Sequence, residues 1–177
     1  MAGLLLVGTD EAGWQRAIVR DNVLKARHRT SGIRLARLVR HRLEPMSAHL
    51  WRMVRDAPGD VATHAVLAAA IKHSRLLGDF LDLVVRDQHR RFAQVLTPKH
   101  WEDYILDCRG RDPRMPQWNE STIRRLRSSV FQILAQAGYL RDTRSLTLQR
   151  PKIASEVTSY LRREHEDYVL RCITVGT

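Results

Sequence analysis

The stretch from Val61 to Ile71 carries no formal charge and is apolar nearly all the way round a helix. A helix of that kind has no face to offer water, so its place is the centre of a bundle. Asp60 precedes it as a candidate cap, behind the Pro58-Gly59 turn signal. Beyond it, Leu76 to Val95 becomes amphipathic through Leu77, Leu81 and Val84, with a break or bend expected at Gly78. Lys72, Arg75, Asp79 and Asp82 punctuate the same run, and four charges in one span argue against insertion into a membrane.

The rest of the chain also reads as helices with clear punctuation. Thr9 or Asp10 caps a first helix to about Asn22, with Trp14, Ala17 and Ile18 on its apolar side. Thr30 or Ser31 caps a second that stops near Pro45, and Ser47 opens a third carrying Leu50, Trp51 and Val54. Thr97-Pro98 starts a helix to about Cys108 that ends at Gly110, and Pro113 and Pro116 shape the connection after it. Asn119 or Ser121 then opens a helix closed by Gly138. Leu146-Thr147-Leu148 and Tyr168 to Ile173 read as short strands flanking a helix from Ser155 to about Arg163. The expected architecture is mainly α. A multi-helix N-terminal bundle spans residues 1–96. A C-terminal helix–turn–helix lobe with a small β hairpin or wing spans 97–177. Packing of the two as one domain is left open.

Charge narrows the function. Lys and Arg number 30 against 19 Asp and Glu, a formal net charge of +11, and only Lys25, Lys72, Lys99 and Lys152 are lysines. So Arg-rich a chain points to a polyanion, with nucleic acid as the first candidate. Between Asn22 and Leu43 lie Lys25, Arg27, Arg29, Arg34, Arg37, Arg40 and Arg42, with no acidic residue among them. Projected at 100° per residue, Leu35, Ala36, Leu38, Val39 and Leu43 share one arc, while Arg34, Arg37, Arg40 and His41 share the other. Arg42 falls inside the apolar arc without explanation. A one-sided arginine face repels itself until an anion, or salt, neutralises it.

A second candidate surface follows Pro116. Ile123, Leu126, Val130, Ile133, Leu134 and Ala137 define a buried face, and Arg124, Arg125, Ser128, Gln132 and Gln136 lie opposite. Arg, Gln and Ser are side chains that bond base edges and phosphates, and a plain solvent face has the same composition. Arg141 and Arg144 would sit on or near the wing.

Catalytic signals are weak. The two cysteines, Cys108 and Cys172, form no CxxC, which excludes a zinc finger, a redox pair and a disulfide framework, and a reducing cytoplasm is the expected compartment. No phosphate-binding glycine loop, nucleophile elbow or HExxH occurs. Asp79 and Asp82 could suggest a metal-dependent nuclease, but local charge pairing explains them more simply. His73 reads as a hydrogen-bonded core residue and Cys108 as a small hydrophobe. The four tryptophans read first as core anchors and only second as base-stacking platforms. No catalytic residue, metal or cofactor is assigned.

With these residues in view, the chain resembles the BrxA family, small accessory proteins of BREX (bacteriophage exclusion) defence systems. The resemblance rests on Ala68–Gln88, Trp101–Trp118, Ser121–Leu140 and Glu166–Ile173, and extends through the segment beginning at Asp10, so it covers nearly the whole chain. It implies a helical fold likened to NusB, an RNA-binding antitermination factor. It also implies a non-enzymatic role in nucleic-acid binding, with duplex DNA as the expected partner and RNA as the alternative. Other BREX proteins are the expected protein partners, and a membrane is not. The competing reading is a scaffold whose arginines dock an acidic component of the same system.

Overall fold

The computed structural model describes residues 1–176 and is built of helices. In chain order these are α1 (Ala2–Leu6), α2 (Glu11–Gln15) continued by a wide π turn (Arg16–Arg20), α3 (Arg29–Leu43), α4 (Ala48–Asp56) and α5 (Gly59–His73). There follow α6 (Arg75–Asp79), prolonged by a second π segment (Phe80–Val85) into α7 (Arg86–Arg90), then α8 (Pro98–Arg111), α9 (Glu120–Gln136), α10 (Ser155–Arg163) and α11 (Asp167–Ile173).

The uncharged run occupies the centre, as its composition requires. His64, Ala65 and every residue from Leu67 to Ile71 on α5 are buried, and α3, α4, α6, α10 and α11 all pack against this helix. The core is one hydrophobic cluster running from Ala2 to Val175, so residues on both sides of position 96 contribute to it. Within it Phe80 meets Trp101 and Tyr104 edge-on, at ring-centroid distances of 5.1 and 5.2 Å. Trp14 and Trp101 are buried, and Trp51 and Trp118 pack against the core half-buried.

Several expectations need correction. The break in the long helical stretch comes at Ser74 rather than Gly78. Ser74 leaves helical geometry (φ −125°, ψ 99°) and accepts a bond from the Leu77 N–H, so it ends α5 and caps α6 together. Gly78 serves a different purpose. A Cβ there would stand 2.3 Å from the Tyr168 hydroxyl and 3.1 Å from Ile71 Cγ2, so glycine lets α11 approach α6.

The second correction concerns Tyr168 to Ile173, which is helical rather than a strand. Its buried residues, Val169, Cys172 and Ile173, recur at steps of three and four, and packing of that face on α5 outweighs the β preference of the residue types. Third, no regular strand forms among the described residues. The expected hairpin is reduced to two isolated antiparallel bridges, Leu140 to Leu148 and Val95 to Thr147. Residues 112–119 connect α8 to α9, which is longer than the three- or four-residue turn of a helix–turn–helix unit.

His73 is exposed, contrary to expectation. The buried histidine is His64, whose Nδ1 accepts a 3.1 Å hydrogen bond from the Ala154 N–H and so ties α5 to the start of α10. Burial holds its pKa below the ordinary histidine value, which keeps the ring neutral and able to accept.

Candidate nucleic-acid interface

The first basic surface is built on the turn between the Arg16–Arg20 segment and α3. Asn22 sits in the left-handed region (φ 46°), a conformation its short polar side chain tolerates. Its amide donates to the Ala26 carbonyl at 3.0 Å and accepts from the Ala26 N–H at 2.9 Å. The Lys25 N–H closes the turn on the Asn22 carbonyl at 2.7 Å. Gly32 on the first turn of α3 lets this loop lie close, since a Cβ there would meet Ala26 Cβ at 3.1 Å. Lys25, Arg27 and Arg29 are therefore presented on an ordered loop rather than a loose one, and Arg29 is exposed at the start of α3.

Arg34 and Arg37 continue this surface along α3, and neither lies within ion-pair distance of a carboxylate among the described residues. Arg37 is near enough to Glu11 to help lower that carboxyl's pKa, though it makes no direct contact. Arg40 behaves differently. It bonds Glu11 at 2.9 Å and Glu44 at 2.7 Å, and its guanidinium lies 4.6 Å from the centre of the Trp14 ring. These contacts raise its pKa and lower that of Glu11. Arg40 is thus a strap holding α2 to α3, and Glu44, one residue beyond the basic stretch, supplies a counter-charge. His41 reaches the same Glu44 carboxylate, with Nδ1 at 3.7 Å.

Two residues missed by the sequence reading join this surface. Arg16 and Arg20 are exposed on the π turn that packs against α3. The signal was present for Arg16, which lies opposite Trp14, Ala17 and Ile18 when their helix is projected, and weaker for Arg20, which falls at the edge of that polar side.

The second surface is more neutralised. On α9, Arg124 lies 3.7 Å from Glu120, Arg125 has no ion-pair partner among the described residues, and Gln132 is exposed. The Ser128 hydroxyl donates to the Arg124 carbonyl at 3.0 Å, so its proton is already used within the helix. After α9, Arg141 lies 3.5 Å from Asp142, while Arg144 is exposed. Asp142 organises that turn, accepting from the Arg144 and Ser145 N–H groups at 2.8 and 2.7 Å.

The acidic pair on the long helix is absorbed internally. Asp79 accepts from the Tyr168 hydroxyl at 2.7 Å, and Asp82 pairs with Arg86 at 3.0 Å and Arg171 at 2.9 Å. Among the described residues, no group of three or more His, Cys, Asp or Glu side chains could hold a metal ion. No helix among them is long and apolar enough to cross a membrane.

Fold and surface together define a class: a basic, helical protein with an ordered run of unpaired cations on its surface. The chain belongs to the BrxA family, which it matches over residues 1–165. It is 51% identical over 176 residues to a BREX protein BrxA of Paramagnetospirillum magneticum (strain AMB-1), covering 99% of this chain and 88% of that relative. A BREX protein BrxA of Escherichia coli O9:H4 (strain HS) is 28% identical over 163 residues, covering 92% of this chain and 76% of that one. The crystal structure of an uncharacterized protein from Magnetospirillum magneticum superposes with a TM-score of 0.91 at 51% identity, covering 98% of this chain and 89% of the other.

Proposed function

We propose that this chain is a non-enzymatic, nucleic-acid-binding accessory component of a BREX phage-defence system, with duplex DNA as its ligand. The observation that carries this reading is the ordered cationic surface of Arg16, Arg20, Lys25, Arg27, Arg29, Arg34 and Arg37. A loop held by Asn22 and a helix held by Arg40 fix the backbone that carries those side chains, so only the side chains themselves remain to be ordered on binding. Arginine forks match phosphate oxygens two bonds at a time, and release of condensed counterions drives the association. Arg124, Arg125 and Gln132 on α9, with Arg141 and Arg144 on the turn beyond, supply a second contact surface that lies along or beside a groove. Arg40 holds the platform rather than the ligand.

The test is fluorescence anisotropy of labelled duplex DNA, matched single strands and RNA, titrated across a salt series. Duplex binding whose log affinity falls linearly and steeply with log salt is the expected result. Tighter binding of RNA than of duplex would move the ligand assignment to RNA. Absence of binding to all three at low salt would overturn the proposal and leave the arginines to an acidic protein partner.

A further inference from the structure

The α3 surface has a second side that the cationic platform does not use. Leu35, Leu38 and Arg42 follow one another at steps of three and four along it. The leucines belong to the arc expected to be buried, yet they are 45% and 40% exposed. The arc is wider than the neighbours that cover it, since α3 packs chiefly against the Arg16–Arg20 segment and α5. Val66 repeats the anomaly on α5. It is 42% exposed in the middle of a helix whose residues on either side are buried.

Val66 and Arg42 border a groove, while Leu35 and Leu38 lie outside it on the same side of α3 as Arg42. One hollow, of about 530 Å³, is walled by Ala62, Val66 and Ala70 of α5 and by Ile133 and Gln136 of α9. A second, of about 210 Å³, continues past it between Ala2, Val39, Val54 and Ala69. Arg42 and Val66 line both, so Arg42 stands where the two meet.

Arg42 is half-buried, its Nε is sealed from solvent with no hydrogen-bond partner, and it forms no ion pair among the described residues. Burial alone lowers its pKa, with no counter-charge opposing the shift. The contrast with Arg40, two residues earlier and held by two carboxylates, is direct. The guanidinium as a whole is a half-desolvated cation without a counter-charge, a cost that a carboxylate reaching its unsealed Nη groups would lower through charge-assisted hydrogen bonds.

We propose that the groove between α3, α5 and α9 docks an acidic–apolar segment of a partner protein, seating one Asp or Glu side chain on Arg42 and apolar side chains in the flanking hollows. The apolar walls disfavour a phosphate backbone, which would be stripped of water there without return. They suit the apolar face of a helix, which offers residues at steps of three and four. A second copy of this chain is a poor occupant. Its own acidic–apolar surface, where Leu83, Asp103, Leu106 and Asp107 lie together, is itself a hollow of about 700 Å³, and two hollows do not interlock.

The test is a selection of displayed random segments, each about four helical turns long, on the full chain, followed by affinity measurement of the enriched peptides. Enriched sequences are expected to share an Asp or Glu flanked by Leu, Ile, Val or Phe at helical spacing. Their affinity should fall at least tenfold on Arg42→Met, and equally on changing the peptide's carboxylate to its amide, without further loss when both changes are combined. Arg34→Glu with Arg37→Glu should leave it unchanged, and Arg42→Met should leave duplex DNA binding unchanged. Arg42→Met should also raise the thermal midpoint of the free protein, because Arg42 supports nothing inside it. Val66→Glu is the second variant. It places a carboxylate beside Arg42 and should block the peptide while keeping the fold. Failure of any sequence to enrich, or binding indifferent to Arg42→Met and Val66→Glu, would overturn the proposal. So would a concentration-dependent self-association of the wild type that Arg42→Met abolishes, which would give the groove to a second copy.

Discussion

The α2–α3 surface and the α9 surface are both rich in arginine, but they differ in what stands next to each cation. On α9 and the following turn, Glu120 and Asp142 lie within 3.7 Å of Arg124 and 3.5 Å of Arg141. On the first surface, Lys25, Arg27, Arg29 and Arg34 have no such neighbour among the described residues; Glu11 and Glu44 are engaged by Arg40, and Asp21, exposed beside Asn22, makes no ion pair with any of these cations. Cation counts alone would rank the two surfaces as similar. Uncompensated charge ranks the first well above the second, and only uncompensated charge gains much from a phosphate.

Reversing charge on one surface at a time separates their contributions. Arg29→Glu, Arg34→Glu and Arg37→Glu together should weaken duplex DNA binding on the order of 100-fold at low salt. The slope of log affinity against log salt should shrink by about 0.9 for each phosphate that the variant no longer neutralises. Circular dichroism and the thermal midpoint should barely move, since none of the three side chains ties one helix to another. Arg40→Ala is the matched control on the same helix. It removes both carboxylate bonds and the Trp14 stacking, so it should lower the thermal midpoint and leave the salt slope intact. A fall in slope with Arg40→Ala as large as with the triple reversal would erase the distinction between strap and platform.

Gly78→Ala tests the scaffold behind both surfaces. The added methyl would drive into Tyr168, so its side chain must swing aside and give up the bond to Asp79, or α11 must move away from α6. Overpacking of this kind costs about 1–3 kcal/mol, which for a chain of this length lowers the thermal midpoint by roughly 2–4 °C per kcal/mol. Binding at temperatures well below the midpoint should be unchanged. A thermal midpoint equal to wild type would mean that α11 does not depend on that close approach.

How much of this was legible depends on whether the deciding interaction is local. The uncharged run at 61–71 announced a central helix because a helix without a polar face has nowhere else to go. Thr97-Pro98 and Asn119 marked helix starts because a cap acts within one turn, and the Asn119 side chain does accept from the Thr122 N–H at 2.9 Å. Tyr168–Ile173 misled because its residue types favour strands, and the face that buries Val169 and Cys172 is supplied by α5, about a hundred positions earlier. At the site, the concentration of arginines was visible and its partners were not. Glu11 reaches Arg40 from 29 positions away, which no local window contains. Arg42 was visible as an anomaly, an arginine among apolar residues, and only the groove between three helices explains it.

A milder perturbation, Arg124→Glu with Arg125→Glu, probes the weaker surface. With Glu120 already opposing Arg124, the pair should cost only about three- to tenfold in duplex affinity, with a slope change near that of one neutralised phosphate. An effect as large as that of the triple reversal on α3 would make α9 the principal binding surface and reduce the first to steering.

The smallest expected effect concerns the turn that carries Arg141 and Arg144. Hydrogen bonds from the Ser145 N–H and hydroxyl and the Arg144 N–H hold the Asp142 carboxyl down to about 2. A carboxyl lowered in the fold stabilises the turn fully above its unfolded pKa, near 3.9, and that contribution disappears as the pH falls through about 2. The order of this turn, unlike that of loops held by ordinary carboxylates, should therefore persist through mild acid. A carbon-13 titration of the Asp142 carboxyl from about pH 5 to about pH 3 should show it still ionised at the lower end, where an ordinary aspartate is mostly protonated. A midpoint near 3.9 for Asp142 would mean that the turn is not held by its carboxylate, and Arg144 would then sit on a loop no better ordered than its charge alone allows.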